Sequence, residues 1–90
     1  MKRVHLIISG DVVGVGYRAW ILRYAADKRL TGWVTNRQDD TVEILVEGPK
    51  RDLEELIKRC GEGPLLAVVK HVDVRWEEAT GAFVSFEVVY

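Results

Sequence analysis

Three glycines fall within seven residues in the stretch Gly10-Asp11-Val12-Val13-Gly14-Val15-Gly16, and Tyr17-Arg18 follows directly. Glycine leaves the backbone free to turn successive N–H groups inward, and a concave set of amides binds anions. The pattern becomes helical from Tyr17, so the unpaired N–H groups of a helix start add positive potential at the same place. Arg18 sits in that first turn, where the helix dipole disfavours a cation. There it can aim a bidentate fork at whatever anion the loop holds. On spacing alone, the same residues also suit a plain turn followed by a solvated arginine. The loop lacks the Gly-Lys-Ser/Thr of a Walker A motif and does not complete Gly-x-Gly-x-x-Gly.

The other chemically capable side chains read as structural. His5 lies in an apolar run and His71 in an alternating segment, neither with a carboxylate or serine at a telling local spacing. Cys60 falls on the apolar stripe of a helical segment, which marks it as core. Trp20, Trp33 and Trp76 read as packing residues, and Tyr17 as a core residue with a polar tip. Lys50, Arg51, Asp52, Glu54, Glu55 and Lys58 form an exposed helix face with i, i+4 pairs such as Glu54 with Lys58.

These residues must be positioned by a small number of elements. Residues 3–9 are rich in β-branched side chains and read as a buried strand ended by Gly10. Residues 17–29 carry a wide apolar face at helical spacing: Tyr17, Ile21, Tyr24 and Ala25, with Ala19, Leu22 and Ala26 beside them. Gly32 closes that region. Residues 33–36 are strand-like, Gln38-Asp39-Asp40 signals a turn, and 41–47 alternates cleanly, so the two strands form a hairpin. Pro49 opens a second helix carrying Leu53, Leu56, Ile57 and Cys60, for which Gly61 is the expected stop. Residues 66–77 alternate with Val68, Val72, Val74 and Trp76 on one face, Gly81 breaks the pattern, and 83–90 alternates again. The order β-α-β-β-α-β predicts an α+β, ferredoxin-like sandwich. In it an antiparallel sheet carries two helices on one face and leaves the other face to solvent.

Size and composition narrow the function classes. Ninety residues are expected to make one domain, residues 1–90, with no room for a separate cofactor domain. Hydrophobic residues at 48% exclude disorder as a description of the whole chain. Thirteen basic and 14 acidic side chains give a net charge of −1, so there is no global basic field to attract nucleic acid. One cysteine forms no internal disulfide, and the cysteines and histidines are too few for a zinc cluster of usual spacing. The first apolar run is interrupted by His5 and ends at Asp11, too short for a signal peptide, and no stretch approaches a membrane span. These readings predict a cytoplasmic protein, monomeric, with neither a nucleic-acid nor a membrane partner.

The stretch Gly10 to Arg18 resembles the acylphosphatase signature G-x-V-Q-G-V-x-[FY]-R. A second signature of that family resembles Gly32-Trp33-Val34-Thr35-Asn36, followed by the turn at 37–40, the strand from Thr41 and Gly48 at its end. The order of elements agrees along the chain. The resemblance implies hydrolysis of the carboxyl–phosphate bond in acyl phosphates such as acetyl phosphate, with phosphate as product, and calls for no metal or cofactor. It assigns phosphate binding to the backbone of Val13, Gly14, Val15, Gly16, Tyr17 and Arg18. It makes Arg18 and Asn36 the catalytic side chains, Arg18 gripping phosphate and Asn36 placing the attacking water. The role of Asn36 comes from the resemblance alone.

Several positions depart from the family pattern. Val13 replaces a glutamine that serves as polar support in the loop. Asp40 stands where glycine is usual, which fits a turn with positive φ. Asp11 puts a carboxylate near the anion loop, where it weakens phosphate attraction unless it points away. Thr35 is less usual before the asparagine. Two other functions fit the same order of elements. An RNA-recognition domain would need stacking aromatics on the central strands, and 4–8 and 42–46 offer none. A phosphate-binding partner module that has lost catalysis remains compatible with the Val13 departure.

Overall fold

The computed structural model describes all 90 residues. The elements are β1 (Lys2–Asp11), α1 (Tyr17–Asp27), β2 (Thr31–Asn36), β3 (Val42–Gly48), α2 (Lys50–Glu62), β4 (Val68–Glu78) and β5 (Phe86–Val89). They build one five-stranded sheet in the order β4-β1-β3-β2-β5. Alternation places Val4, Leu6 and Ile8 of β1 beside Val42, Ile44 and Val46 of β3, all fully buried. Tyr17, Ile21 and Ala25 of α1 and Leu53, Leu56 and Cys60 of α2 close over them in one core cluster. The ferredoxin-like sandwich expected from the pattern is therefore present. On the other sheet face, His5 meets Glu43 at 2.6 Å (Nε2 to Oε2), a carboxylate partner reached across strands rather than along the chain.

The sheet is not wholly antiparallel. β1, β2, β3 and β4 pair antiparallel, but β5 pairs parallel to β2, with Val34 opposite Val88. The reason lies in the connection. β4 ends opposite Lys2, at the end of the sheet where β2 begins, and residues 79–85 cross to the far edge. The chain therefore enters β5 in the direction of β2. Glu47, only 4% exposed, holds this crossing. It accepts from the N–H groups of Thr80 (2.9 Å) and Gly81 (3.0 Å), the Thr80 hydroxyl (3.2 Å) and Arg3 Nε (2.7 Å). Those donors, led by the Thr80 amide, hold the Glu47 carboxyl below its usual pKa.

Several local expectations shift for identifiable reasons. α1 ends at Asp27 rather than Arg29, because Arg29 takes a left-handed conformation (φ 57°). Its N–H donates to Ala26 and the Leu30 N–H to Ala25, which is Schellman closure, so Arg29 rather than Gly32 ends the region. Gly32 instead lets strands approach: a Cβ there would collide with the Leu45 carbonyl. α2 continues through Gly61 and stops at Gly63, where φ is 71°. A register shift opposite Ser9–Gly10 breaks the alternation of β4, so Val69 and Val72 pack on the core while Val68 is exposed. In the alternating segment 83–90, Phe86 and Val88 pack on the core, but Val84 lies in the crossing segment, 96% exposed. Asp40 has the positive φ expected of its turn, 64°.

Candidate active site

The end of β1, the loop and the start of α1 form one continuous turn of backbone. Gly14 and Gly16 both have positive φ, 77° and 82°, with open space where a Cβ would stand. Glycine is therefore needed there for backbone conformation, not for clearance. Gly16 is the N-cap of α1 and supplies no side-chain cap, and the first turn holds no acidic residue. The first helical bond runs from Trp20 N–H to the Gly16 carbonyl (3.0 Å), so the N–H groups of Tyr17, Arg18 and Ala19 have no intrahelical acceptor. This positively polarised helix start is open to an anion.

Arg18 and Asn36 line the same cleft, of about 210 Å³, together with Gly14, Gly16 and Tyr17 of the loop. Val13 and Val15 face elsewhere. They line a groove on the other side of the loop with Asp11 and Asp40, so the Asp11 carboxylate does not enter the cleft. Arg18 is half-buried and has no ion pair or side-chain hydrogen bond to the protein. Its guanidinium lies 4.8 Å from the centroid of the Tyr90 ring, a cation–π contact. Asn36 ends β2 opposite Val42, on the face toward the helices. Its Oδ1 is the one buried side-chain polar atom in the protein without a hydrogen-bond partner. Such an atom is costly unless something outside the protein satisfies it.

No histidine and no aspartate or glutamate side chain lines the cleft. Tyr17 does not fill that gap. Its hydroxyl donates to the Cys60 carbonyl at 2.7 Å inside the core, and burial pushes its pKa far above the usual phenol value. Burial also pushes the Cys60 thiol up to about 12, which makes it a core residue rather than a nucleophile. Residues 10–18 were the part of this cleft open to sequence reasoning on physical grounds. Leu22, Val88 and Tyr90 also line it and were missed as site residues. Leu22 carried a weak signal, one turn beyond Arg18 on the same helix. The other two reach the cleft only because the crossing segment carries β5 to the edge beside β2.

A ferredoxin-like sheet with an uncapped helix start open to solvent at its β1–α1 junction defines the class, a small α+β protein with free backbone donors at one cleft. Comparison with known proteins narrows this. The sequence profile of the acylphosphatase family matches residues 4–88. The chain is 47% identical to the acylphosphatase of Moorella thermoacetica over 81 residues, 90% of this chain and 87% of that protein. It is 45% identical to the acylphosphatase of Methylococcus capsulatus over 89 residues, covering 99% and 97% of the two. The crystal structure of acylphosphatase from Bacillus subtilis superposes with a TM-score of 0.96 at 33% identity, over the whole of both chains. The chain belongs to the acylphosphatase family and is a hydrolase of that class.

Proposed function

We propose that the chain hydrolyses acyl phosphates, with the backbone N–H groups of the 13–18 loop and Arg18 holding the phosphoryl group and Asn36 placing the water. The orphaned Oδ1 of Asn36, buried beside the unpaired Arg18, is the observation that carries this reading. An acceptor left open at that point suits a water whose proton it can take in a hydrogen bond, while the side-chain amide donates. Arginine suits the phosphate because its planar fork stays charged and matches two oxygens. The water oxygen forms a bond to phosphorus as the bond from phosphorus to the acyl oxygen breaks. The electron pair leaves on the carboxylate. The water proton passes to a phosphate oxygen, so the acyl phosphate dianion and water become a carboxylate and dihydrogen phosphate. With so good a leaving group, positioning and charge stabilisation can suffice. A cleft lined by no histidine, aspartate or glutamate side chain supports proton transfer to the substrate itself.

The test is hydrolysis of acetyl or benzoyl phosphate in the presence of a chelator. Arg18→Ala and Asn36→Ala are each expected to lower kcat/KM by on the order of 100-fold or more. Asn36→Ala removes an unsatisfied buried atom, so its thermal midpoint should equal or exceed that of the wild type. Activity retained in both variants would defeat the assignment. A wild type that binds phosphate and hydrolyses nothing would make the chain a binding module.

The cleft is complete within one chain, which supports a monomer. The single cysteine is buried, so folding asks for no oxidising compartment, which supports a cytoplasmic location. No helix is long and apolar enough to cross a membrane.

A further inference from the structure

On its side away from the cleft, the 10–16 loop borders a groove of about 480 Å³. Val13 and Val15 of the loop line it with Leu66, from the turn that enters β4, and with Asp11 and Asp40. The surface around it is apolar. Leu65 and Leu66 are 97% and 73% exposed, Val13 is exposed too, and so is Val68, which pairs with Asp11 across the strands. The valine that stands where the family pattern has glutamine thus adds apolar surface here. Single exposed apolar residues are ordinary, but several clustered beside one groove mark a contact surface. The two leucines sit in a closed turn, in which the Ala67 N–H donates to the Pro64 carbonyl at 3.0 Å. A surface fixed in this way loses little conformational entropy when it is covered. Neither Asp11 nor Asp40 has an ion pair within the protein.

We propose that this groove docks a segment of a partner protein in which apolar side chains are flanked by lysine or arginine. The apolar groups leave water against Val13, Val15 and Leu66, and the flanking cations pair with Asp11 and Asp40. The two free carboxylates select this occupant over two others. They repel the anionic surface of a membrane. A second copy docked through the same surface brings the same two carboxylates against them, because a two-fold interface presents one patch to itself. The docked segment touches the loop from outside, away from Arg18 and Asn36, so the cleft stays open.

The experiment titrates the isotope-labelled full chain with a synthetic peptide in which two adjacent leucines lie between pairs of lysines. Amide shifts in the NMR spectrum are expected at residues 10–15, 40 and 65–68 and should saturate. Leu66→Ser should weaken binding by about 10-fold, through the lost burial of one leucine. Asp11→Asn combined with Asp40→Asn should weaken it by about 3- to 10-fold and remove most of its sensitivity to salt. All three positions are exposed, and asparagine tolerates the positive φ of residue 40, so these variants keep the fold, which circular dichroism checks. No saturable binding would overturn the proposal. So would equal binding of a peptide with glutamates in place of the lysines, or an affinity unmoved in the folded variants. A dimer in sedimentation that Leu66→Ser abolishes would overturn it in favour of a second copy. Cosedimentation with phosphatidylserine vesicles that Leu66→Ser abolishes would overturn it in favour of a lipid surface.

Discussion

Arg29 and Asp40 are the two non-glycine residues with positive φ, at 57° and 64°. The left-handed conformation costs an L-residue roughly 1–2 kcal/mol, of which glycine's greater unfolded-state freedom takes back about 0.5–1 kcal/mol. Arg29→Gly is therefore expected to stabilise by about 0.5–1 kcal/mol, a rise of a few degrees in Tm. Asp40→Gly should stabilise by less, because aspartate tolerates this region better. Thermal melts of both variants check the order, and a fall in Tm for Arg29→Gly would show that its side chain contributes something beyond the helix end. Among site residues, legibility differed in kind. Arg18 could be singled out physically, since a cation at a helix start needs a reason. Asn36 could not: an asparagine before a turn is ordinary, and its orphaned oxygen exists only once β2 is set against α1. The resemblance alone made its role visible in the sequence.

At the level of elements, glycines of different purpose respond differently to alanine. Gly61 lies inside α2, without positive φ and with open space around its absent Cβ. Gly61→Ala should stabilise by about 0.5–1 kcal/mol. Gly32 has φ 142° and faces the β3 backbone, where a Cβ would collide with the Leu45 carbonyl oxygen. Gly32→Ala should destabilise strongly, by more than about 2 kcal/mol, since β2 and β3 would have to separate. Urea unfolding of the pair checks both signs. The type and order of every element were legible from periodicity, including the division of the last region into two strands. Three details were not. The stop of α2 at Gly63 rather than Gly61 depends on which glycine takes the left-handed turn. The register shift in β4 depends on its pairing with β1. The parallel placement of β5 depends on where the crossing segment is anchored, by Glu47 and Arg3 from distant strands.

For the molecule as a whole, that anchor sets a dependence on acid. The Glu47 carboxyl is held below its usual pKa by the Thr80 amide first, then by Arg3 and the Gly81 amide. A carboxylate depressed in the folded state adds stability above its unfolded pKa of about 4.3, and that stability is lost as pH falls through the folded value. Glu47→Gln should therefore lower Tm at pH 7 by several degrees, and the gap to the wild type should close as pH falls through the folded value and the wild-type carboxylate protonates. Melts across pH 2–7 test this, and a gap that persists unchanged to pH 2 would place the stabilisation in packing rather than charge. Because the crossing segment leads into β5, the acid-sensitive tie lies far from Arg18 along the chain yet supports the wall of its cleft.

The central place of β1 also bears on how the chain is assembled in time. β1 pairs on one side with β3, where Lys2 faces Gly48, and on the other with β4, where Lys2 faces Glu78. The first strand synthesised thus waits for two later partners, the second near the far end of the chain. Such long-range closures slow folding relative to helical proteins of similar size, because loop entropy is lost before the contacts form. On the ribosome, β1 can dock with β3 once the first half has emerged, but its other edge stays bare until the final strands are made. That bare edge is the interval in which the nascent chain is most open to pairing with another copy.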